Sequence, residues 1–297
     1  MTKTAFIAIV GRPNVGKSTL LNAMLGEKIS IVSSKPQTTR NRITGILTEG
    51  ENQFVFLDTP GIHKPHTKLG DYMVKAADSA ISSAEVIILI TEANRAPTEV
   101  ELSVMEAIKR SHLPSLLVLN KIDLADAVSV AKAIETYAKL HNFDAVIPIS
   151  AANNDGTDIV LKECEKFMTE SEWFFPDDIS TDQPERQIVA EVIREKLLRL
   201  LDDEVPHGTA VTIESFEDDN DIIRVRAEIF CEKESHKGII IGKNGATLKK
   251  IGTYARQDLE KFFGVKVYLN LWVKVKEKWR DSLFNLNNFG YNPKDVQ

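Results

Sequence analysis

Cysteine is nearly absent from these 297 residues: Cys164 and Cys231 are too few and too far apart for a disulfide framework or a thiolate metal cluster. Long apolar runs are missing too. The longest, such as residues 86–90, fall far short of the roughly 20 residues a membrane-spanning helix needs. The apolar stretch at residues 5–10 gives way to Arg12 with no small-residue cleavage site, which argues against a secretory signal. Together these absences predict a reducing, cytoplasmic setting. A net charge of −6 with 43% hydrophobic residues excludes collagen-like and wholly disordered chains. The length predicts two domains, because single cores rarely grow past about 250–300 residues.

Charge is distributed unevenly. Residues 1–180 carry 18 basic and 23 acidic groups, 182–232 carry 6 and 14, 233–280 carry 12 and 4, and the last 17 carry 1 and 2. A basic block in an acidic chain is the footprint of a polyanion-binding surface, although charge alone is equally compatible with a solvated face. Short apolar runs at residues 5–10, 43–48, 53–57, 86–90, 116–119 and 145–149 alternate with amphipathic stretches up to about residue 170. That pattern predicts an α/β domain with a six-stranded, mostly parallel sheet, its second and third strands forming an antiparallel hairpin. The acidic, proline-bearing stretch EWFFPDDISTDQP reads as a linker. The expected division is therefore a first domain over 1–172, a linker over 173–184, a second domain over 185–280 and a tail over 281–297.

Gly11-Arg12-Pro13-Asn14-Val15-Gly16-Lys17-Ser18 fits G-x-x-x-x-G-K-[ST] between a predicted strand and a predicted helix, the context that pattern requires. Backbone N–H groups of such a loop cradle phosphates, Lys17 reaches the β- and γ-phosphates, and the Ser18 hydroxyl is a Mg²⁺ ligand. Asp58-Thr59-Pro60-Gly61 ends the strand QFVFL, placing Asp58 to approach Mg²⁺ through water and the Gly61 N–H to approach a γ-phosphate. Asn120-Lys121-Ile122-Asp123 ends another strand at the edge where open α/β sheets bind ligands. Asp123 can accept from both N1–H and the N2 amino group of guanine, groups that adenine lacks. Ser150 and Ala151 follow the last strand, where a backbone N–H can donate to guanine O6.

In this order and at strand ends, these four segments are similar to the motifs of the translation-factor-related GTPases. The resemblance implies GTP as ligand with Mg²⁺ as cofactor, and an effector threonine in PQTTRNR. Thr39 is the first choice for the second Mg²⁺ ligand and Thr38 the alternative. After DTPG, where Ras-like proteins carry a water-orienting glutamine, this chain has Ile62, so the resemblance implies slow intrinsic hydrolysis raised by K⁺, a partner or both. Asn14 matches a P-loop asparagine used toward a monovalent cation, with a purely loop-stabilising role carrying equal weight. His63 and His66 read as surface residues rather than bases.

In the second half the predicted order is helix, strand, strand, short helix, Gly242-Lys243-Asn244-Gly245, helix and strand. This resembles an α+β KH domain of the bacterial, type II topology, whose G-x-x-G loop clamps about four nucleotides of single-stranded nucleic acid. Lys243, Lys249 and Lys250 supply positive potential. Ile239 and Ile241 are expected along the base groove, with at least one of residues 239–241 in the core. Trp279 and Phe284 read as packing residues of the last helix, with base stacking as the lesser reading. With segments such as IHKPHTKLGDYM, HKGIIIGKNGATLKKIG and WVKVKEKWRD, nearly the whole chain resembles a bacterial family of ribosome-assembly GTPases. That resemblance implies a monomer that binds the 3′ end of 16S rRNA, acts in maturation of the 30S subunit and associates peripherally with the membrane in some settings. LNNFGY departs from the tail expected of that family. The alternative is a membrane-recruited signalling GTPase with its basic face on anionic lipid; the G-x-x-G loop speaks against it, since a lipid surface requires no backbone clamp.

Overall fold

Every residue of Val86–Glu92 is buried, and a strand apolar on both sides belongs in the middle of a sheet covered on both faces. The computed structural model describes residues 1–62 and 65–292, so His63 lies outside the described residues. The first half runs β1 (Lys3–Val10), α1 (Lys17–Leu25), β2 (Ile43–Glu49), β3 (Asn52–Asp58), α2 (Lys68–Ser82), β4 (Val86–Glu92), α3 (Glu99–Ser111), β5 (Ser115–Asn120), α4 (Ala127–Leu140), β6 (Ala145–Pro148), α5 (Thr157–Glu165) and β7 (Thr169–Glu170). The sheet order is β2-β3-β1-β4-β5-β6. Pairing is parallel from β3 across to β6, and β2 turns back antiparallel on β3 as a hairpin. All six expected strands are present. The two-residue β7 adds a seventh, antiparallel to the first residues of β1.

Alternation along the strands divides the core in two. Ile7, Ile9, Phe56, Ile88 and Val118 face α1 and α5, while Ala8, Val10, Leu89 and Leu117 face α2, α3 and α4. Because the strands are parallel, the loops after β1, β3, β5 and β6 all emerge at one edge. All four predicted motifs lie there.

Residues 173–184 are pinned along the hairpin rather than hanging free. Buried Gln53 accepts from the Phe174 and Phe175 N–H groups at 3.0 and 3.1 Å and donates to Phe175 O at 2.9 Å. Thr181 donates to Thr44 O at 2.7 Å.

The second half runs α6 (Glu185–Leu200), β8 (Ala210–Asp218), β9 (Ile222–Cys231), α7 (Glu234–Ile241), α8 (Ala246–Phe263), β10 (Lys266–Val275) and α9 (Leu283–Asn288). Its sheet order is β10-β9-β8, with β8 antiparallel and β10 parallel to β9, as the type II KH topology requires. One face packs under α6 and α8 through residues such as Val225, Ala227 and Ile229. A fourth apolar cluster joins the halves: Leu69, Tyr72 and Met73 of α2 meet Trp279, Leu286 and Tyr291 of the tail. Trp279 is fully buried and its Nε1–H donates to Gly208 O at 2.9 Å, the packing role expected of it. Phe284, expected to pack as well, is 71% exposed because α9 turns it outward. Among the described residues, no helix is long and apolar enough to cross a membrane.

Candidate GTP site and RNA groove

The loop after β1 leads straight into α1, so its N–H groups and the helix dipole converge on one point. Gly16 sits at φ 106°, and a Cβ there would come within 2.2 Å of Asn120 Nδ2. Lys17 curls back over the loop, its Nζ donating to Gly11 O at 3.2 Å and Arg12 O at 3.0 Å. Burial pushes its pKa down to about 8, against the pull of Asp58. Ser18 Oγ donates to Asp58 Oδ2 at 2.7 Å and lies 2.9 Å from Thr39 Oγ1, while Ser30 Oγ donates to the same carboxylate oxygen at 3.0 Å. The other oxygen, Asp58 Oδ1, is buried with no hydrogen-bond partner. Burial also pushes the Asp58 pKa up. Burial thus disfavours the charged form of both groups, a cost that an anion at Lys17 and a cation near Asp58 offset together. A cluster of Ser18, Thr39 and an orphaned carboxylate oxygen fits a hard divalent cation with oxygen ligands.

Thr38 does not compete for that position. Its Oγ1 donates to Lys35 O at 2.7 Å, which ties it to its own loop. The four motifs are laced together around a cavity of about 350 Å³ that Gly16, Lys17, Ser18, Thr39, Lys121 and Asp123 help to line. Asn120 Nδ2 donates to Val15 O at 2.8 Å, and Lys121 Nζ to Asn14 O at 2.8 Å. Asp123 Oδ1 accepts from Ser150 Oγ at 2.6 Å, which aims the carboxylate at the cavity. The Ile62 N–H donates to Gly11 O at 3.1 Å and draws the Pro60-Gly61 turn against Pro13.

The structure corrects some sequence expectations for this site. The Ala151 N–H donates to Asn120 Oδ1 at 3.0 Å and the Ser150 N–H to Asp155 O at 3.0 Å, so both amides expected to face a base are spent in closing their loop. The next residue, Ala152, lines the cavity instead. Arg12 turns away from the cavity to pair with Glu92 and, at 3.4 Å, with Glu101. Val15 is core, and Thr59 Oγ1 donates to Ile9 O at 2.8 Å beneath the site. Residues 31–34 also line the cavity. Sequence reasoning missed them because an apolar-polar loop without a motif gives no sign of where it folds.

In the second half, Gly242 sits at φ 73°, where a Cβ would meet Thr247 Oγ1 at 2.2 Å, and Asn244 and Gly245 are also left-handed. The loop opens directly into α8. Beside it runs a groove of about 400 Å³ lined by Leu248, Lys249, Gly252, Arg256, Leu269 and Leu271 among others. Ile239 and Ile241 do not line it: Ile239 is half exposed on α7, Ile241 packs on the core and Ile240 is fully buried. The apolar walls come from α8 and β10 instead. Lys250 lies over the Tyr254 ring, 5.8 Å from its centroid, outside the groove.

The two sites are joined by side chains that carry no motif. Arg194 on α6 is buried, and its guanidinium donates to Thr38 O and, at 3.3 Å, to Gln37 O. Glu195 accepts the Val32 N–H at 3.0 Å and pairs with Lys28 at 2.7 Å. Arg40, one residue past Thr39, is buried in the second half, donating to Thr209 O at 2.7 Å and His207 O at 2.9 Å beneath the Trp279 ring.

Comparison with known proteins places this geometry. Residues 6–121 match the model of the 50S ribosome-binding GTPases, and residues 204–280 match the KH domain. GTPase Era of Ruminiclostridium cellulolyticum is 50% identical over 97% of both chains, and that of Clostridium novyi is 51% identical over 98% of this chain and 99% of its own. A crystal structure of Era in complex with MgGDPNP and nucleotides 1506–1542 of 16S ribosomal RNA superposes with a TM-score of 0.95 at 40% identity, covering 98% of this chain and 100% of that one. A single-residue variant of Aquifex aeolicus Era bound to GDP·AlF4⁻ gives 0.94, also at 40% identity and with the same coverage. A P-loop site and a KH groove in one chain, matched end to end at half identity, mean that the chain belongs to the Era family of GTPases.

Proposed function

We propose that this protein binds and hydrolyses GTP with Mg²⁺ and binds the 3′ end of 16S rRNA through its KH groove during 30S maturation, the GTP state favouring RNA. The observation that carries the reading is the shared loop. Residues 28–40 present Thr39 to Ser18 and Asp58, and the same stretch is gripped by Arg194, Glu195 and the carbonyls around Arg40. A ligand that orders Thr39 must therefore act on how the second half is held, and differential affinity is all that a switch requires.

In this reading the loop amides and Lys17 hold the β- and γ-phosphates, and Ser18, Thr39 and, through water, Asp58 hold Mg²⁺, which neutralises charge developing on the phosphates. Asp123 selects guanine, and Ala152 closes its pocket. The Asn14 side-chain amide, which donates to Ser34 O at 2.7 Å, stands at the P-loop as the candidate contact for K⁺. Ile62 offers no side-chain atom to orient water, so intrinsic turnover is slow. The domain division falls at residues 173–184. The protein works in the cytoplasm as a monomer, and any association with the membrane is peripheral.

The test is equilibrium binding of an rRNA 3′-end oligonucleotide and a scrambled control to protein loaded with a non-hydrolysable GTP analogue or with GDP. A variant carrying Lys243→Asp and Asn244→Asp is measured alongside. Selective binding that favours the GTP state and is lost in the variant is expected; equal binding in both states would remove the switch, and absence of selective binding would remove the RNA assignment. Pelleting with anionic vesicles, with and without RNA as competitor, separates this reading from lipid recruitment.

A further inference from the structure

The three-stranded sheet of the second half has two faces, and α6 and α8 cover only one. On β10, Leu269 and Leu271 face the helices and wall the groove beside residues 242–245. By the two-residue alternation of a strand, Tyr268, Asn270 and Trp272 share the opposite face. Tyr268 and Trp272 are 58% and 57% exposed, although both rings are large enough to be core. Register places Arg224 beside Tyr268, Arg226 beside Asn270 and Glu228, its charge answered by Lys274, beside Trp272 on β9. Arg224 is drawn 3.4 Å from Asp219 at the hairpin end, whereas exposed Arg226 has no ion pair among the described residues. At the far end of this face Phe230 is covered by Phe289 of the tail, so the open area is bounded rather than diffuse.

We propose that this open face is a second RNA surface: single-stranded RNA leaving the groove crosses the edge strand β10 and stacks bases on Tyr268 and Trp272, with Arg226 meeting phosphate between them. The proposal rests on the RNA-binding reading above. Three features favour RNA over a protein partner. The rings stand about 13 Å apart on one strand, with an amide and an arginine between them rather than aliphatic side chains. Aromatic faces with interleaved arginine are the usual equipment for single strands, because every base has a face to stack. Moreover, β10 is the sheet edge, so its two faces are adjacent along a continuous path, and the groove on one face holds only about four nucleotides.

The experiment uses the full chain loaded with a non-hydrolysable GTP analogue and two oligonucleotides from the rRNA 3′ end, one of about four nucleotides that fills the groove and one about three times as long. Tyr268→Leu with Trp272→Leu removes the stacking faces but keeps strand-compatible apolar side chains. The short RNA is expected to bind wild type and variant alike, while the long RNA loses at least about fivefold in affinity for each stacked base removed. Equal affinity of wild type and variant for the long RNA overturns the proposal. Loss of short-RNA binding by the double variant as well would mark a folding defect of the second half, and Arg226→Glu, at an exposed position of β9, then carries the same test. If the Lys243→Asp, Asn244→Asp variant binds RNA normally, the groove reading itself has failed, a different outcome from failure of the platform. A benzophenone amino acid at position 272, irradiated on precursor 30S particles, should crosslink rRNA; crosslinking to a ribosomal protein instead would overturn the assignment of RNA as occupant.

Discussion

Two glycine loops in this molecule do the same elementary thing and differ in everything around it. Residues 11–18 and residues 242–245 each turn the chain through left-handed glycines into a helix N-terminus, where N–H groups meet phosphate. The first is buttressed from three sides, by Asn120, Lys121 and Ile62, and its lysine is buried. The second lies open along a shallow groove with Lys243 in solvent. A closed loop can desolvate one terminal phosphate and its cation and so discriminate chemical state. An open one can only hold a chain that passes through it.

The largest test of that contrast is Lys17→Ala. Removing a buried charge that answers the phosphates should cost about 3–5 kcal/mol, a loss of more than a hundredfold in affinity for a fluorescent GTP analogue. RNA binding by the nucleotide-free protein should not change. If RNA binding falls equally, the two loops are not independent phosphate sites. Asp123→Asn is next: the paired acceptors for N1–H and N2 of guanine become one acceptor and one donor, at a cost of about 1–3 kcal/mol by analogy with bidentate base contacts. Competition between GTP and xanthosine triphosphate, whose O2 accepts where the guanine N2 donates, should shift toward xanthosine; no shift would mean that Asp123 does not read the base edge.

Most of the closed site was legible in the sequence, and most of the seam was not. Strand ends and motif spacing put Lys17, Asp58 and Asp123 at one sheet edge, because period-2 apolar runs in a parallel sheet leave little choice of where loops emerge. Arg194 and Glu195 gave no such signal. On α6 they are charged residues outside any motif, yet they are buried because another part of the chain lies against them. Arg40 was hidden likewise, its partners being backbone carbonyls more than 160 residues away. The isoleucine run 239–241 misled because it lies on the last turn of α7, where successive residues point about 100° apart, so Ile240 is buried in the core, Ile241 packs against its edge and none lines the groove. The tail's contact with α2 carried no pattern at all.

Proton linkage gives a smaller effect on the closed site alone. Burial holds Lys17 at a pKa of about 8, and bound phosphate raises it, so binding takes up a proton once the free lysine has lost its own. Affinity for GTP should be flat below pH 8 and fall above it, approaching about tenfold per pH unit before the bound-state pKa is reached. Isothermal titration in buffers of different ionisation enthalpy would show proton uptake on that limb.

The seam sits between the two loops and sharpens the comparison. Arg194→Ala removes the grip on Gln37 and Thr38 without touching either phosphate site. It should narrow the preference of RNA for the GTP state over the GDP state by several-fold, within the range of about 1–3 kcal/mol typical of coupling between sites. Affinity for GDP should stay where it was. An unchanged ratio would mean that nucleotide state reaches the groove by another route, the α2–tail contact being the next to cut.

The smallest expected difference separates K⁺ from Na⁺. Asn14 sits at φ 64° and ties the P-loop to Ser34 O, and it is the residue proposed above to meet a monovalent cation. Since Ile62 cannot orient water, added positive charge in this position is one of the few ways left to stabilise the charge that develops on the phosphates. Hydrolysis should run faster in K⁺ than in Na⁺ at equal ionic strength. The Asn14→Gly variant keeps the left-handed backbone but loses the amide, so it should respond to the two ions alike. If wild type does not distinguish them either, Asn14 is a strut between two loops and nothing more, and any acceleration of hydrolysis comes from a partner rather than from an ion.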